Sequence, residues 1–258
     1  MKIYFVCNYT IIKVTIITAT YNSGNTIEDT LRSVAAQTYA NIEHIIVDGL
    51  SFDNTLEIVS RYPHVTIVNS EKDSGIYDAM NRGISLATGD IVAILNSDDF
   101  YTSDDAVENM VREMEDEQVM GVYADLEYVG EKDTTKIIRK WKSGLHHGKS
   151  FLFGWMPPHP TLFVRRSVYD QCGKFDLSLR SAADYEFMLR AFLKYNLNFK
   201  YLPQVLVRMR VGGMSNSSIG NRIKANKEDR QAWKINGLKP YFFTLYLKPL
   251  RKILQFIN

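Results

Sequence analysis

Carboxylates recur where the apolar runs of this chain end: Asp48, Asp73 and the tandem Asp98-Asp99, the last preceded by Asn96-Ser97. The first apolar run ends instead in Thr18-Ala-Thr-Tyr-Asn22. A carboxylate accepts hydrogen bonds from a base N–H or from ribose hydroxyls, a role open to Asp48. An acidic rim also admits a phosphorylated ligand, on one condition. A divalent cation, Mg2+ or Mn2+, must sit between carboxylate and phosphate, because these ions take oxygen ligands and bridge one or two carboxylates to substrate phosphates. Asp98-Asp99 suits such an ion. The plainer reading makes either Asp a cap for a helix starting near Asp104, and acids at three neighbouring run ends weigh against it. No G-x-G-x-x-G or G-x-x-x-x-G-K-[ST] is present, so dinucleotide and P-loop readings lose their phosphate cradle.

These residues need elements that hold them together. Val14 to Thr18, Glu43 to Val47, Val65 to Val68 and Ile91 to Leu95 are β-branched or apolar runs of strand length. Helical spacing fills the gaps between them. Asn25 with Glu28 and Asn54 with Glu57 read as capping boxes, and Tyr77 to Ala87 reads as a helix stopped by Gly89. This alternation predicts βαβ units and an α/β fold with a mostly parallel sheet covered on both faces. In such sheets ligands bind beyond the carboxyl ends of the strands, where the acids lie. The second half is less regular: helical over 106–117, extended over 119–128 and 136–141, and strongly amphipathic over 184–195.

The 258 residues are 45% hydrophobic and 23% charged, enough for a real core and too apolar for disorder. Cys7 and Cys172 stand far apart and the five His lack H-E-x-x-H spacing, against a disulfide scaffold or a zinc site. The longest uncharged stretch, Ser150 to Val164, has 15 residues and three Pro, too short and broken to span a bilayer. Lys2 before Ile3-Tyr-Phe-Val hints at a leader, but no clean cleavage site follows, so a cytoplasmic chain is expected. Residues 216–258 hold nine Lys or Arg and two acids against a whole-chain charge of +2. A basic tail on an acidic body suggests an anionic partner.

Five segments together resemble the family 2 inverting glycosyltransferases of GT-A fold. They are Val14-Thr-Ile-Ile-Thr-Ala-Thr-Tyr-Asn22, Leu31-Arg-Ser-Val-Ala-Ala-Gln-Thr-Tyr39, Ile46-Val-Asp-Gly-Leu-Ser-Phe-Asp-Asn-Thr55, Asp73-Ser-Gly-Ile-Tyr-Asp-Ala-Met-Asn-Arg-Gly83 and Ala87-Thr-Gly-Asp-Ile-Val-Ala-Ile-Leu-Asn-Ser-Asp-Asp99. The resemblance covers roughly residues 14–215, and the order and spacing of the five make it specific. It implies a nucleotide-diphospho-sugar donor, UDP-linked, and a single-displacement transfer of hexosyltransferase class. It implies that Thr18, Thr20, Tyr21, Asp48, Asp73 and Arg82 serve the nucleoside. The family's D-x-D maps to Asn96-Ser97-Asp98; Asn replaces its first Asp, so whether Asn96 meets ribose or metal stays open, and Asp98 with Asp99 carries the metal. An inverting transfer needs a carboxylate opposite the leaving group to take the acceptor's proton. The family's base maps to Asp184 in Ala183-Asp184-Tyr-Glu186, although Ala183 stands where many members have Glu. As a bland alternative, Asp184 caps the helix behind it; both roles are compatible.

The implied organisation is a donor half over 1–100, an acceptor half over 101–215 and a basic aromatic tail over 216–258. Trp155 is a candidate to stack on a sugar, against ordinary packing. His159 either reaches the site or is structural. Arg210 with Gly212-Gly213 either closes over the diphosphate or lies in a solvated turn, and His146-His147 is expected to be solvated. The tail, broken at Pro249, suits an amphipathic segment on an anionic membrane, against docking on the body; that puts the enzyme at the inner face of the cytoplasmic membrane, acting on a lipid-linked or glycan acceptor in surface-polysaccharide synthesis. No nucleic-acid partner is expected, and a homodimer is compatible with the reading. Two rivals remain. A sugar nucleotidyltransferase lacks its Gly-rich, Arg-containing loop at 18–24. A sugar-nucleotide-binding module without turnover is favoured by Asn96 and Ala183.

Overall fold

The computed structural model of the chain describes residues 11–212 and 219–255. Expectations placed on residues 1–10, Gly213 and 256–258 lie outside the described residues. The first half alternates as expected: β1 (Val14–Thr20), α1 (Ile27–Ala35), β2 (Ile42–Asp48), α2 (Thr55–Val59), β3 (Val65–Ser70), α3 (Ile76–Leu86) and β4 (Ile91–Ile94). Every residue of β1 is buried, as a strand covered on both faces must be. The second half runs β5 (Asp99–Tyr101), α4 (Ala106–Glu113), β6 (Gly121–Val129), β7 (Ile137–Trp141), β8 (Phe163–Arg165), α5 (Arg166–Cys172), α6 (Ala183–Met188) and β9 (Phe199–Arg210). Two helices follow, α7 (Ile219–Ile235) and α8 (Thr244–Leu254).

Among the described residues, one mixed sheet has the order β3-β2-β1-β4-β8-β6-β9-β5, with β7 beside β6. β1 pairs in parallel with β2 and β4, and β2 with β3. Thr20 is therefore level with Asp48, and Asp48 with Ser70. The second half adds antiparallel pairs through β8, β7 and β5, while β6 and β9 run parallel.

Local expectations fail at helix ends. α1 begins at Thr26 and α2 at Asn54, neither with a side-chain cap bond. Asp53 does that work instead, accepting from the backbone N–H and hydroxyl of Thr55. Asp184 is no cap either: α6 is capped at Ala182, which places Asp184 inside the first turn. After Met188 the helix widens into a π turn over 189–194. α8 runs unbroken through Pro249. It is fastened along its length, by Thr244 to the Leu152 carbonyl, Lys248 to Asp229 and Arg251 to the Phe153 carbonyl, so tertiary contacts override the proline penalty. The bland reading of the tail therefore holds for one of its faces. Trp233 of α7 adds a bond to the Tyr185 hydroxyl at 3.0 Å.

Trp155 belongs to the core. It is buried, its indole N–H donates to the Ser143 carbonyl at 2.7 Å, and its ring packs against Tyr123, His146, Phe151 and Phe192. No ring face is left to stack on a sugar. His146 sits in the same aromatic cluster, so the expectation that it is solvated is corrected.

One short buried polar chain runs across β1 and β2. His44, fully buried, meets Thr18 Oγ1 at 3.0 Å and His64 at 3.1 Å. Burial, then the neighbouring His64, pushes its pKa down to about 3. Below the ordinary histidine range of about 6.5, the unfolded chain binds a proton that folded His44 refuses. Stability is complete above that range and falls as the pH drops toward 3, by up to about 1.4 kcal/mol per pH unit for each proton. Thermal melts of the protein and of His44→Gln between pH 7 and 4 should show a shallower acid slope for the variant.

Candidate functional site

The rim is laced before any ligand arrives. Asn22, in the left-handed region at φ 49°, lets the chain turn sharply after β1. Its backbone N–H donates to Ser51 Oγ at 2.8 Å, and its side-chain oxygen accepts from the Phe52 N–H at 3.0 Å. Ser23 binds Thr55 Oγ1 through its N–H and Ser97 Oγ through its hydroxyl, each at 2.8 Å. Loops after β1, β2 and β4 thus share one network.

Residues expected to serve the nucleoside lie close together around Gly49. Asp48 is fully buried and accepts from the N–H and hydroxyl of Ser51 and from the Ser70 hydroxyl at 2.6 Å. Asp73 and Tyr21 close on Gly49: a Cβ there would lie 2.6 Å from Asp73 Oδ2 and 3.4 Å from the Tyr21 ring. Only glycine allows that approach. Tyr21 is exposed and meets Phe52 edge-on at 6.3 Å. Asp73 Oδ1 accepts from the Gly75 N–H at 2.9 Å. Thr20 is buried, with a hydroxyl that has no protein partner. Thr18 is turned inward onto His44 and stands apart from this group. Arg82 is drawn to its own loop, by the Lys72 carbonyl at 2.7 Å and by Glu71 and Asp78.

The turn at 96–99 is held from three directions. Thr30 of α1 donates to the Asp99 carbonyl at 2.6 Å. Ser97 is fixed by Ser23. Arg210, at the end of β9 and buried, donates to the Asp98 carbonyl at 2.7 Å and pairs with Asp29. Arg210 is therefore neither a solvated turn residue nor free to swing over a ligand; its guanidinium is committed to the acidic turn. Burial raises the pKa of Asp98, against the charge of Arg210. Asp99 is buried and pushed well up, first by burial and then by Asp98. Asn96 Nδ2 donates to Asp99 at 3.3 Å.

These residues fit a divalent cation. Asn96 Oδ1 and Asp99 Oδ1 are buried acceptor oxygens that take no hydrogen bond from the protein. Adjacent carboxylates that repel one another are a hard cation's donor set. No group of three or more His, Cys, Asp or Glu among the described residues is placed to hold a metal by itself.

Asp184, from the second half of the chain, reaches this rim through Tyr77. Its Oδ1 accepts from the Tyr77 hydroxyl at 2.9 Å, and Tyr77 lies on α3, just past Asp73. On β6, burial raises the Tyr128 phenol, Arg139 3.8 Å over its ring opposes that, and the charges of Asp99 and Asp184 add to the rise. His159 packs on Phe175 at 5.6 Å, and burial lowers its pKa while Asp184 pulls it back up. Tyr77, Tyr128, Asp29, Ser51 and Ser70 were not singled out from sequence. The Asp48-x-x-Ser51 spacing and the four residues from Asp73 to Tyr77 were local signals; Asp29 and Tyr128 had none, since their partners come from distant elements.

The geometry can bind a nucleoside at Asp48 and Asp73, a metal-bound diphosphate at the 96–99 turn, and an acceptor near Asp184. Comparison with known proteins bears on it. The family model for glycosyl transferase family 2 matches residues 15–185. A PGL/p-HBAD biosynthesis glycosyltransferase of Mycobacterium tuberculosis is 31% identical over 209 residues, 79% of each chain. Among solved structures, S. aureus TarS (residues 1–349) in complex with UDP-GlcNAc has a TM-score of 0.66 at 19% identity, over 87% of this chain and 65% of that one. This chain thus spans about two thirds of that structure. The mannosyltransferase PcManGT of Pyrobaculum calidifontis, with GDP-Man and Mn2+, has a TM-score of 0.66 at 20% identity, over 92% and 69%.

Removing the Arg210 fork should loosen the acidic turn. Arg210→Ala is expected to cost about 1–3 kcal/mol by leaving buried partners unmet, read by urea titration.

Proposed function

The chain belongs to glycosyl transferase family 2, and on that premise we propose an inverting, metal-dependent transfer of a sugar from a nucleotide-diphospho-sugar to a glycan or lipid-linked acceptor in surface-polysaccharide synthesis. It is a glycosyltransferase of GT-A fold; the remainder is our reading. The observation that carries it is the 2.9 Å bond from Tyr77 to Asp184, which brings a carboxylate from the second half of the chain to the rim of the first.

The donor half is 1–100 and the acceptor half 101–215. Tyr21 and Asp73 flank the base, and Asp48 takes base or ribose hydrogen bonds. Asp98 and Asp99 would hold Mg2+ or Mn2+, which stabilises negative charge on a departing diphosphate. Asp184 takes the proton of the acceptor hydroxyl. The acceptor oxygen bonds to the anomeric carbon from the face opposite the diphosphate, whose bond breaks with its electron pair, inverting the centre. A UDP-linked donor agrees with the UDP-GlcNAc bound by TarS, while the GDP-Man of the archaeal neighbour keeps a guanine nucleotide in view.

The tail supports a place at the membrane. Among the described residues no helix is long and apolar enough to cross a bilayer. The outer side of α8 and its approach carry Phe242, Tyr246 and Leu250, at fourfold spacing and 89%, 59% and 54% exposed. Residues 239–258 contain four Lys or Arg and no acid. An exposed aromatic stripe with only positive charge around it suits anionic lipid. We place the enzyme peripherally on the inner face of the cytoplasmic membrane.

The first test is hydrolysis of UDP-GlcNAc, UDP-glucose, UDP-galactose and GDP-mannose with Mn2+, Mg2+ or EDTA. Slow, metal-dependent release of nucleoside diphosphate from one donor is expected, abolished by EDTA and by Asp98→Ala. Asp184→Asn should lose about 10^2–10^4-fold in turnover with UDP binding retained. Donor binding without release, even with a lipid-linked acceptor extract, would favour a binding module without turnover. For the tail, sedimentation with vesicles containing phosphatidylglycerol should carry the protein down at low salt. Neutral vesicles should not, and the triple change of Phe242, Tyr246 and Leu250 to Ser should release it.

A further inference from the structure

α3 does more than cover the sheet. Its first turn follows Asp73 and Gly75 directly, and two residues one turn apart, Tyr77 and Asn81, face the second half of the chain. Asn81 forms a reciprocal pair with Phe175: its Nδ2 donates to the Phe175 carbonyl and its Oδ1 accepts from the Phe175 N–H, both at 2.9 Å. The Tyr77 ring packs on the Phe175 ring at 5.6 Å. Phe175 in turn lies against His159 at 5.6 Å and Phe187 of α6 at 5.4 Å. Tyr77 is thus held by its ring, and its hydroxyl is aimed at one atom, Asp184 Oδ1.

We propose that Tyr77 is a positioning residue: by donating to Asp184 Oδ1 it fixes the carboxylate so that Oδ2 meets the acceptor hydroxyl, and it ties that carboxylate to the loop that holds the donor. The proposal rests on the reading of Asp184 as the base. In the step it serves, Asp184 Oδ2 gains the acceptor proton, the acceptor oxygen gains the anomeric carbon, and the diphosphate leaves with the bonding pair. Tyr77 keeps its own proton throughout. Burial, and then the charge of Asp184, hold its phenol well above the ordinary range, so it acts only as a donor. The other ionisable groups around the pair are His159, Tyr128 of β6 and, toward Tyr77, Glu228 of α7. Among the described residues Tyr77 donates the hydrogen bond that holds the Asp184 rotamer, and a small misplacement of a reacting group costs rate steeply.

Tyr77→Phe keeps the ring on Phe175 and removes only the hydroxyl. With the donor that turns over fastest in the sugar-nucleotide panel, kcat should fall about 10- to 100-fold while donor KM stays within about twofold and the melting temperature holds. In an Asp184→Asn background the same change should add almost nothing, because the group it positions is gone. An unchanged kcat, or kcat, donor KM and melting temperature moving together, would overturn the proposal. Wild-type turnover in Asp184→Asn would instead overturn the base itself; an inactive Asp184→Asn beside a fully active Tyr77→Phe would sink only the role of Tyr77. A second arm needs no substrate. With 3-fluorotyrosine at position 77, the fluorine resonance should shift on Asp184→Asn; a resonance that stays put would show that the hydroxyl does not report on Asp184, against the proposal.

Discussion

Parallel pairing of β1 with β2 and β4, and of β2 with β3, makes four strands leave the sheet at a single edge. Every chemical feature of the molecule depends on that constraint. Asp48, Asp73 and the 96–99 turn are separated by 20 residues or more in sequence, yet the register sets Thr20, Asp48 and Ser70 level with one another. A one-residue slip would turn each strand's side chains to the opposite face. The apolar runs that bury both faces of these strands are what fix the register.

Gathering acids at an edge carries an electrostatic cost. Burial raises the pKa of Asp98 and Asp99, and the charge of Asp98 makes Asp99 harder still to ionise. The protein offsets part of this with one buried guanidinium. Arg210 reaches the turn from the last strand, joining its carbonyl to Asp29 of α1. Asn96 Oδ1 and Asp99 Oδ1 remain buried without a protein partner, so the turn is not fully satisfied by the chain around it.

The two halves share one sheet through the β4–β8 pairing, and side chains add to that seam. α3 clamps the segment around Phe175, and Tyr77 touches Asp184. On the far side, α7 and α8 close over α6: Trp233 binds Tyr185, Asn236 binds Glu186, and the ammonium of Lys248 lies 3.5 Å from the centre of the Tyr185 ring. The helix with the exposed aromatic stripe is thus packed directly against the helix that holds Asp184.

The amino-acid order alone determined the βαβ alternation, the four parallel strands and the acids that end them, because burial on both faces and turn chemistry are local in sequence. It also carried the family resemblance, in five ordered segments. It misjudged what neighbours decide. Trp155 and His146 look like surface chemistry until Tyr123, Phe151 and Phe192 close round them. Arg210 looks like a mobile basic turn until Asp29 and the Asp98 carbonyl, 181 and 112 positions away, hold it. Asn25 and Asn54 read as caps, yet α1 starts at Thr26, neither helix has a side-chain cap bond, and Asp53 serves Thr55. Pro249 reads as a break, but contacts along α8 outweigh one missing donor. The tertiary structure alone decided which carboxylate oxygens stay free and which side chain aims Asp184, since both depend on distances between groups whose separation along the chain says nothing of their separation in space.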